Sequence, residues 1–175
     1  MEQIIFYILL FLLALSLIGV AIVFSFVIPV IQGAPFVASD RKKLGTIVSF
    51  ADIRDGTRAV DLGSGEGRIV LALAEAGAEA YGYEWNPFLV WYSRRKAKKM
   101  AFSGKAFFQK KNFWKEDFSG FDVVILFGIT HMMERLREKL EKELQPGARV
   151  VSNAFHIPGW KEEKRENGVI LYIKE

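Results

Sequence analysis

The sequence predicts an α/β protein with a mostly parallel sheet, preceded by one transmembrane helix and closed by a C-terminal antiparallel hairpin. Three observations carry this prediction. Strand and helix signals alternate from residue 58 onward, an uncharged apolar segment occupies the N-terminus, and the last residues contain two apolar or charged runs around an Asn-Gly pair. Alternating strands and helices are typical of parallel sheets that are covered on both faces. The 175 residues have room for one domain of ordinary size and little else.

The N-terminal segment has no charged residue between Ile4 and Ile31, which exceeds the roughly 20 residues needed to cross a bilayer. Glu2 is the only charged residue ahead of it, whereas a secretory signal peptide carries positive charges and a shorter apolar core. We therefore predict a transmembrane anchor over residues 1–32, ended by Pro29 and the Gly33-Ala34-Pro35 turn.

Residues 33–57 are predicted to form a linker and a lid with one helix. Ser39 or Asp40 can cap this helix, whose apolar face carries Leu44, Ile47, Val48 and Ala51. Arg41, Lys42 and Lys43 follow the anchor, so the positive-inside rule places residues 58–175 on the cytoplasmic side, or on the matrix side in an organelle.

The remaining elements follow in order. We predict strands at 58–62, 79–84, 105–109, 121–127 and 148–155, helices at 67–76, 87–100 and 130–144, and a hairpin of 161–166 with 169–174. Asn86 caps a helix that has Pro87 at its first position, and Gln145-Pro146-Gly147 ends the last helix. Asn167-Gly168 predicts a type I′ turn in the hairpin.

Composition limits the chemistry that the side chains can provide. The chain has no cysteine and only two histidines, His131 and His156, so we expect no disulfide, no thiol nucleophile and no dedicated metal site. Catalysis must then rely on carboxylates, the backbone, aromatic side chains or a cofactor.

The most informative motif is the turn DLGSGEG at 61–67, which follows the first strand. Closely spaced glycines let a ligand approach the backbone, and the next helix presents its free N–H groups there. Arg68 occupies the place of the third glycine of a dinucleotide fingerprint, which argues against NAD or FAD. Asp61 sits at the end of the first strand, before the turn, where a carboxylate can meet an amino group. Glu84 ends the second strand, where a carboxylate can accept the hydroxyls of a ribose. This arrangement resembles the S-adenosylmethionine (SAM) site of the seven-β-strand (Rossmann-like) methyltransferases.

A narrower resemblance covers residues 33–160. The stretches GAPFVASD, DLGSGEGRIV, GYEWNPFLVWYSR and KNFWKEDFSGFDVVILFG, with the apolar segment ahead of them, are similar to the membrane-anchored protein-lysine methyltransferases. This family includes the mitochondrial enzymes that modify the adenine nucleotide translocase and the c subunit of ATP synthase. The resemblance implies a SAM-dependent N-methyltransferase whose product is S-adenosyl-L-homocysteine and whose acceptor is a lysine of a membrane protein.

By resemblance, the cofactor-binding candidates are Ser39, Asp61, Gly63, Gly65, Gly67, Glu84, Asn112 and Phe113. The three glycines and Asp61 would line the methionine part of SAM, and Glu84 would hold its ribose. Asn112 stands where the family usually has an aspartate that receives the adenine amino group, and Phe113 or Trp114 can stack on the ring. The lid also departs from the family, with Phe36 in place of a common tyrosine and Ala38 in place of a proline.

The acceptor side is predicted to be a tight apolar channel for a lysine side chain. Candidates for a substrate channel are Phe36, Phe127, Gly128, His131 and Trp160, with Phe155 as a further wall. A lysine has an ordinary pKa of about 10.4, and a tight apolar channel favours its neutral, nucleophilic form. His131 can take a proton or can lie on the surface of the last helix, and His156 is equally open to both interpretations.

Several alternatives stay open. The basic run at 94–99, next to Trp91 and Tyr92, can indicate nucleic acid, anionic lipid headgroups or a solvated helix face; we expect the lipid bilayer as a partner, and no nucleic acid. A membrane-tethered methyltransferase of a lipid, a quinone or another small amphiphile would have a wide apolar cavity. A SAM-binding module without catalysis would keep the site but admit no acceptor.

Overall fold

The computed structural model of the chain describes residues 1–32, 41–102, 105–128 and 130–175. It divides into two compact units, Met1–Pro35 and Phe36–Glu175. The predicted linker residues 33–40, which include Phe36, Ala38 and Ser39, lie outside the described residues.

The N-terminal unit is one helix, α1, over Glu2–Gln32. Its segment Glu2–Val23 has a mean hydropathy of 2.9 and none of it is buried within the protein, so by length and composition this helix can cross a membrane. The sequence predicted that Pro29 would help to end the helix, but α1 continues through Pro29 to Gln32. A proline removes one backbone hydrogen bond and bends a helix, but does not oblige it to stop.

The second unit contains a seven-stranded sheet in the order β3-β2-β1-β4-β5-β7-β6. The strands are β1 Arg58–Leu62, β2 Glu79–Glu84, β3 Ala106–Lys110, β4 Val123–Leu126, β5 Arg149–Asn153, β6 Lys164–Glu166 and β7 Val169–Ile173. The helices are α2 Arg41–Ala51, α3 Arg68–Glu75, α4 Pro87–Lys99 and α5 Thr130–Glu143, with a 3-10 turn at Phe113–Lys115. The first five strands are parallel, and β7 pairs antiparallel with β5 and β6. The predicted fold class is confirmed.

Two apolar layers cover the sheet. Side chains of α2, α3 and α4 form one cluster with β1, β2 and β3, and side chains of α5 form the other with β1, β4 and β5. The central strands are buried along nearly their whole length, as their continuous apolar runs predicted. This arrangement leaves the carboxyl ends of the parallel strands together at one edge of the sheet, where βα turns are free to bind a ligand.

The connections agree with the turn chemistry of the sequence. The side chain of Asn86 accepts from the N–H of Phe88 at 2.9 Å, with Pro87 at the first helical position. Helix capping is therefore the role of the Asn86-Pro87 pair. Asn167 and Gly168 have φ of 50° and 75°, and such positive values at both positions are what a type I′ hairpin turn requires.

Two of the predicted strands are longer than the observed strands β4 and β5. β4 begins at Val123, and Phe121 ahead of it closes a turn, in which its N–H donates to the carbonyl of Phe118 at 3.0 Å. β5 ends at Asn153, because Ala154 has φ of 77° and leaves the extended conformation. Apolar residues such as Phe121 and Phe155 extend both patterns into loops, where they pack against the core without pairing as strands.

Candidate functional site

The glycine-rich turn after β1 is attached to the neighbouring strand β2. The N–H groups of Gly63 and Ser64 both donate to the carbonyl of Tyr83, at 2.9 and 3.1 Å, and the N–H of Gly67 donates to the carbonyl of Ser64 at 2.8 Å. The turn therefore lies across the carboxyl ends of β1 and β2. This is the edge at which open α/β sheets bind their ligands.

Gly63 and Gly67 have positive φ, of 80° and 79°, but different surroundings. A Cβ on Gly67 would lie 2.5 Å from Cε1 of Phe108 and 3.1 Å from Oγ of Ser93, so this glycine lets the turn pack closely on β3 and α4. A Cβ on Gly63 would meet no atom of the described residues within 4 Å. Gly63 therefore faces open space that a ligand can occupy.

Glu84, at the end of β2, is held by two backbone donors. Its Oε2 accepts from the N–H of Gly65 at 2.9 Å, and its Oε1 accepts from the N–H of Asn86 at 2.8 Å. A carboxylate offers about four lone-pair positions, so this side chain can fix the turn and still accept hydroxyl groups. The sequence indicated the ligand-binding role of Glu84 but not this structural one, because Gly65 becomes its neighbour only when β1 and β2 pair.

Asp61 is buried beside this turn, with 4% of its surface exposed. In the sheet it lies opposite Gly82 of β2 and Ile125 of β4. Burial, with a smaller contribution from the negative charge of Glu84, raises the pKa of Asp61 to about 7. A cationic group bound beside Asp61 would stabilise its ionised form, so this carboxyl suits a ligand that carries positive charge.

Two serines at the turn were missed by sequence reasoning. The buried hydroxyl of Ser64 has no hydrogen-bond partner among the described residues, and the hydroxyl of Ser93 on α4 donates to the carbonyl of Gly65 at 3.2 Å. A signal for Ser64 was present in the glycine at position 82, because glycine inside a strand often marks a close approach. A Cβ on Gly82 would lie 2.6 Å from Oγ of Ser64.

The segment after β3 borders Glu84. The N–H of Lys111 donates to the carbonyl of Glu84 at 3.1 Å, and Oδ1 of Asn112 accepts from the N–H of Trp114 at 3.1 Å. Asn112 thus caps the 3-10 turn, and its oxygen has a second lone pair for an amino group. The rings of Phe113 and Trp114 lie 4.9 Å apart and pack partly buried against the core, so they also have a structural role.

The carboxyl ends of β4 and β5 carry aromatic side chains. Phe127 and Phe155 meet edge to face, with ring centroids 5.5 Å apart, and both are half-buried. Gly128 is buried behind Phe127, and a Cβ there would collide with Sδ of Met133 on α5. The structure therefore brings Phe127, Gly128 and Phe155 together at one end of the sheet.

Trp160 and His156 surround Tyr172 of β7. The Trp160 and Tyr172 rings lie 6.2 Å apart, and Tyr172 Oη lies 3.0 Å from the N–H of Ile157 and 3.2 Å from Nδ1 of His156. Burial raises the pKa of Tyr172. His156 also lies 3.0 Å from a carboxylate oxygen of Glu162, so its described contacts are structural. The side chain of His131, like Phe36 and Ser39, lies outside the described part of the chain.

A separate cavity of about 510 Å³ lies at the opposite, amino ends of β1, β4 and β5. Its walls include Asp52, which pairs with Arg54 at 3.0 Å and with Arg149 at 2.9 Å. Because these charges satisfy one another and the predicted residues lie at the other end of the strands, we place the candidate site at the glycine-rich turn. Among the described residues, no group of three His, Cys, Asp or Glu side chains is arranged to hold a metal ion.

Much of the chain is similar to known proteins. The family model described as the ANTKMT methyltransferase domain matches residues 61–164. The chain is 42% identical over 142 residues to the lysine N-methyltransferase of the ATP synthase c subunit from Rattus norvegicus, and the match covers 80% of this chain and 65% of that protein. It thus spans slightly less than two thirds of this relative's length.

Two further matches cover nearly all of the protein compared. A protein-lysine N-methyltransferase of Saccharolobus islandicus is 35% identical over 149 residues, covering 79% of this chain and 92% of that one. The crystal structure of an RNA methyltransferase from Salinibacter ruber, in complex with S-adenosyl-L-homocysteine, superposes with a TM-score of 0.72 at 28% identity, covering 79% of this chain and 92% of the other. The resemblance that the sequence indicated is confirmed: the chain belongs to the family of the ANTKMT methyltransferase domain.

Proposed function

We propose that this protein is a SAM-dependent methyltransferase that adds methyl groups to a lysine side chain of a membrane-associated protein. The observation that carries the proposal is the paired arrangement of Asp61 and Glu84 around an open glycine turn. The choice of lysine as the acceptor is supported by the names of two relatives, since the proteins of rat and of Saccharolobus islandicus are both called lysine N-methyltransferases.

The residues of the turn fit SAM. The space in front of Gly63 admits the ligand, the buried Ser64 hydroxyl offers a polar partner, and Asp61 favours a positive charge beside it. Glu84 accepts the ribose hydroxyls with the lone pairs that Gly65 and Asn86 leave free. Asn112 and Phe113, next to Glu84, then border the adenine. When bound, SAM supplies an electrophilic methyl group on a positively charged sulfur.

The residues at the ends of β4 and β5 prepare the acceptor. Phe127 and Phe155 present apolar ring surface there, which disfavours the ammonium form of a lysine and excludes water. Phe36, His131 and Trp160 remain candidates for the rest of this channel. No strong base is required, because an apolar channel that holds the amine in its neutral form leaves mainly orientation to be supplied.

The apolar helix α1 locates the reaction. We propose that α1 spans a membrane, and that the cations at 41–43 keep residues 58–175 on the cytoplasmic or matrix side. The eight residues 33–40 reach at most about 30 Å when extended. A methyltransferase held at this distance meets acceptors that lie at the membrane surface at a raised local concentration.

The test is methyl-lysine mass spectrometry of membranes from cells that contain or lack the protein. The intact protein should produce methylated lysine in a membrane protein. The Gly63→Ala variant should produce no methylated lysine, because the added methyl group fills the open space of the site. The variant should still fold, since the strained φ lowers the free energy of unfolding by only about 1–2 kcal/mol. Deleting residues 1–31 should leave SAM binding intact and sharply lower methylation of the membrane acceptor.

Other outcomes point to the alternatives. Methyl groups found only in lipids or quinones would favour a small-molecule methyltransferase, and methylated RNA would favour the activity named for the Salinibacter ruber protein. SAM binding with no methylated product of any class would favour a binding module. Calorimetry that detects NAD binding and no SAM binding would contradict the cofactor assignment itself.

A further inference from the structure

Helix α4 presents an exposed face that is aromatic and cationic. Its inner face buries Val90, Ser93 and Ala97 against the sheet. At helical spacing, the opposite face carries Phe88, Trp91, Tyr92, Arg95 and Lys99, and we call these five residues the α4 outer face. The exposed fractions of Phe88, Trp91 and Tyr92 are 64%, 51% and 42%.

The side chains of the α4 outer face are organised into one surface. The rings of Phe88 and Trp91 lie 5.8 Å apart, and the guanidinium of Arg95 lies 5.2 Å from the centre of the Trp91 ring. Trp85, immediately before the helix, is 45% exposed. Grouped large aromatic residues on a surface mark an interaction site far more often than scattered ones do.

The charge of this region is strongly one-sided. Residues 85–115 contain nine lysines and arginines and no aspartate or glutamate, whereas the rest of the chain has 15 basic and 20 acidic residues. The nearest preceding carboxylate, Glu84, is turned inward to the N–H groups of Gly65 and Asn86. The positive net charge of the protein therefore resides in this segment.

Helix α5 differs from α4 in that its exposed basic side chains form ion pairs within the helix. Arg137 pairs there with Glu134 and Glu141, and Lys139 pairs with Glu143. In the described part of the chain, by contrast, the ion pairs include none with the five basic residues of α4. Nε of Arg94 donates to the carbonyl of Phe108 at 2.8 Å, so that guanidinium also has a structural role. The cations of the α4 outer face, Arg95 and Lys99, make no ion pair among the described residues and can meet an anionic partner.

We propose that the α4 outer face docks the methyltransferase unit on the surface of an anionic lipid bilayer. Tryptophan and tyrosine prefer the interface of a bilayer, where the ring contacts acyl chains and the polar group stays hydrated. Lysine and arginine are attracted to anionic headgroups. The lipid surface is favoured over other anionic partners because the same chain carries α1, which ends only eight residues, 33–40, before α2 begins. The inference rests on the membrane anchoring proposed above.

The test uses the full chain in vesicles. Because the protein has no cysteine, single cysteines can carry a spin label without background. One label is placed at Met100→Cys, exposed at the end of α4, and a control label at Glu138→Cys, exposed on α5. Vesicles of phosphatidylcholine are compared with vesicles in which about one third of the lipid is phosphatidylserine.

Docking predicts that a water-soluble relaxation agent reaches the Met100→Cys label about threefold less in the anionic vesicles than in the neutral ones, and reaches the Glu138→Cys label equally in both. Arg95→Glu with Lys99→Glu should abolish this protection. Lys142→Glu with Lys161→Glu, which makes the same change in net charge at exposed positions elsewhere, should preserve it.

Three outcomes overturn the proposal in distinguishable ways. Equal access to the Met100→Cys label in anionic and neutral vesicles, with the chain incorporated, overturns the docking alone. Failure of the chain to incorporate into vesicles of either composition overturns the anchoring on which the docking rests. Protection of the Met100→Cys label by an RNA oligonucleotide, with none from anionic lipid, would assign the α4 outer face to nucleic acid instead.

Discussion

The carboxyl edge of the sheet has a polar half and an aromatic half. At β1 and β2, the carboxylates Asp61 and Glu84 surround a glycine turn whose geometry is fixed by backbone hydrogen bonds. At β4 and β5, the surface is formed by the rings of Phe127 and Phe155. The first half suits a polar, positively charged cofactor, and the second suits an amine that must lose its charge before it reacts.

This difference implies that substitutions in the two halves should change different properties of the protein. The polar half depends on a backbone conformation, so substitutions there should change stability or cofactor affinity. The aromatic half contributes apolar surface, so substitutions there should leave cofactor affinity unchanged and lower the rate of methyl transfer. The predictions below test this division, from the largest expected effect to the smallest.

Gly67→Ala should have the largest effect, because it combines a strained φ with a collision against Phe108. We expect the free energy of unfolding to fall by about 2–5 kcal/mol, the sum of a left-handed conformation and an overpacked contact. Denaturant unfolding measures this loss. The matched control is Gly56→Ala, with φ of 81° and no atom of the described residues within 4 Å of its Cβ, which should lose only about 1–2 kcal/mol. Equal losses would contradict the close packing of the turn.

Glu84→Ala should weaken SAM binding by about 1–3 kcal/mol, because charge-assisted hydrogen bonds to the ribose are lost. It should also lower the free energy of unfolding, because the N–H groups of Gly65 and Asn86 lose their acceptor. Calorimetry and unfolding measure the two effects. Glu79→Ala, at the other end of β2 and paired with Arg58, is the control that should leave SAM affinity unchanged. Unchanged affinity in Glu84→Ala would mean that the polar half is not the cofactor site.

The sequence predicted β1 and β2 with their observed bounds, and it predicted the hairpin turn at Asn167 and Gly168. These features depend on local chemistry, namely apolar runs that end at a glycine turn or just ahead of the Asn86-Pro87 cap, and an Asn-Gly pair between two strands. The strand ends at Phe121 and Ala154 could not be predicted, because a turn closed by the hydrogen bond from Phe121 to Phe118 and a positive φ at Ala154 set them. Neither is visible in hydrophobic patterning.

The candidate site was predictable to a similar extent. Asp61 and Glu84 stand at strand ends that periodicity identifies, so their positions followed from the sequence. The second role of Glu84, its bond to Gly65, and the contact of Ser64 with Gly82 required the pairing of separate strands. The aromatic half was harder for the same reason, because Phe127 and Phe155 are 28 residues apart and meet only through the packing of two loops.

Phe127→Ala should lower the rate of methyl transfer by about tenfold to a hundredfold, because a misplaced amine reacts slowly. SAM affinity should not change, since Phe127 lies beyond β4 and away from Glu84. Single-turnover kinetics and calorimetry measure the two quantities separately. Phe107→Ala, which removes a half-buried ring that stacks on Tyr81 at the β3 edge, is the control for the loss of an aromatic side chain. A loss of SAM affinity in Phe127→Ala with an unchanged rate would reverse the division.

The smallest effect concerns protons, and it separates Asp61 from every group in the aromatic half. The pKa of Asp61 is about 7 in the folded protein, against an ordinary value of 3.8, so the folded state binds a proton that the unfolded state releases between these values. Its contribution to stability is complete below about pH 4 and is lost as the pH rises to about 7.

A cationic ligand should lower the pKa of Asp61, so SAM affinity should fall by up to about tenfold between pH 8 and pH 6. Binding of SAM at pH 6 should therefore release about one proton. Calorimetry in buffers of different ionisation enthalpy counts this proton. Asp61→Asn should bind SAM weakly at every pH and without proton release. If the wild-type protein releases no proton near pH 6, the positive charge of the ligand is not met by Asp61.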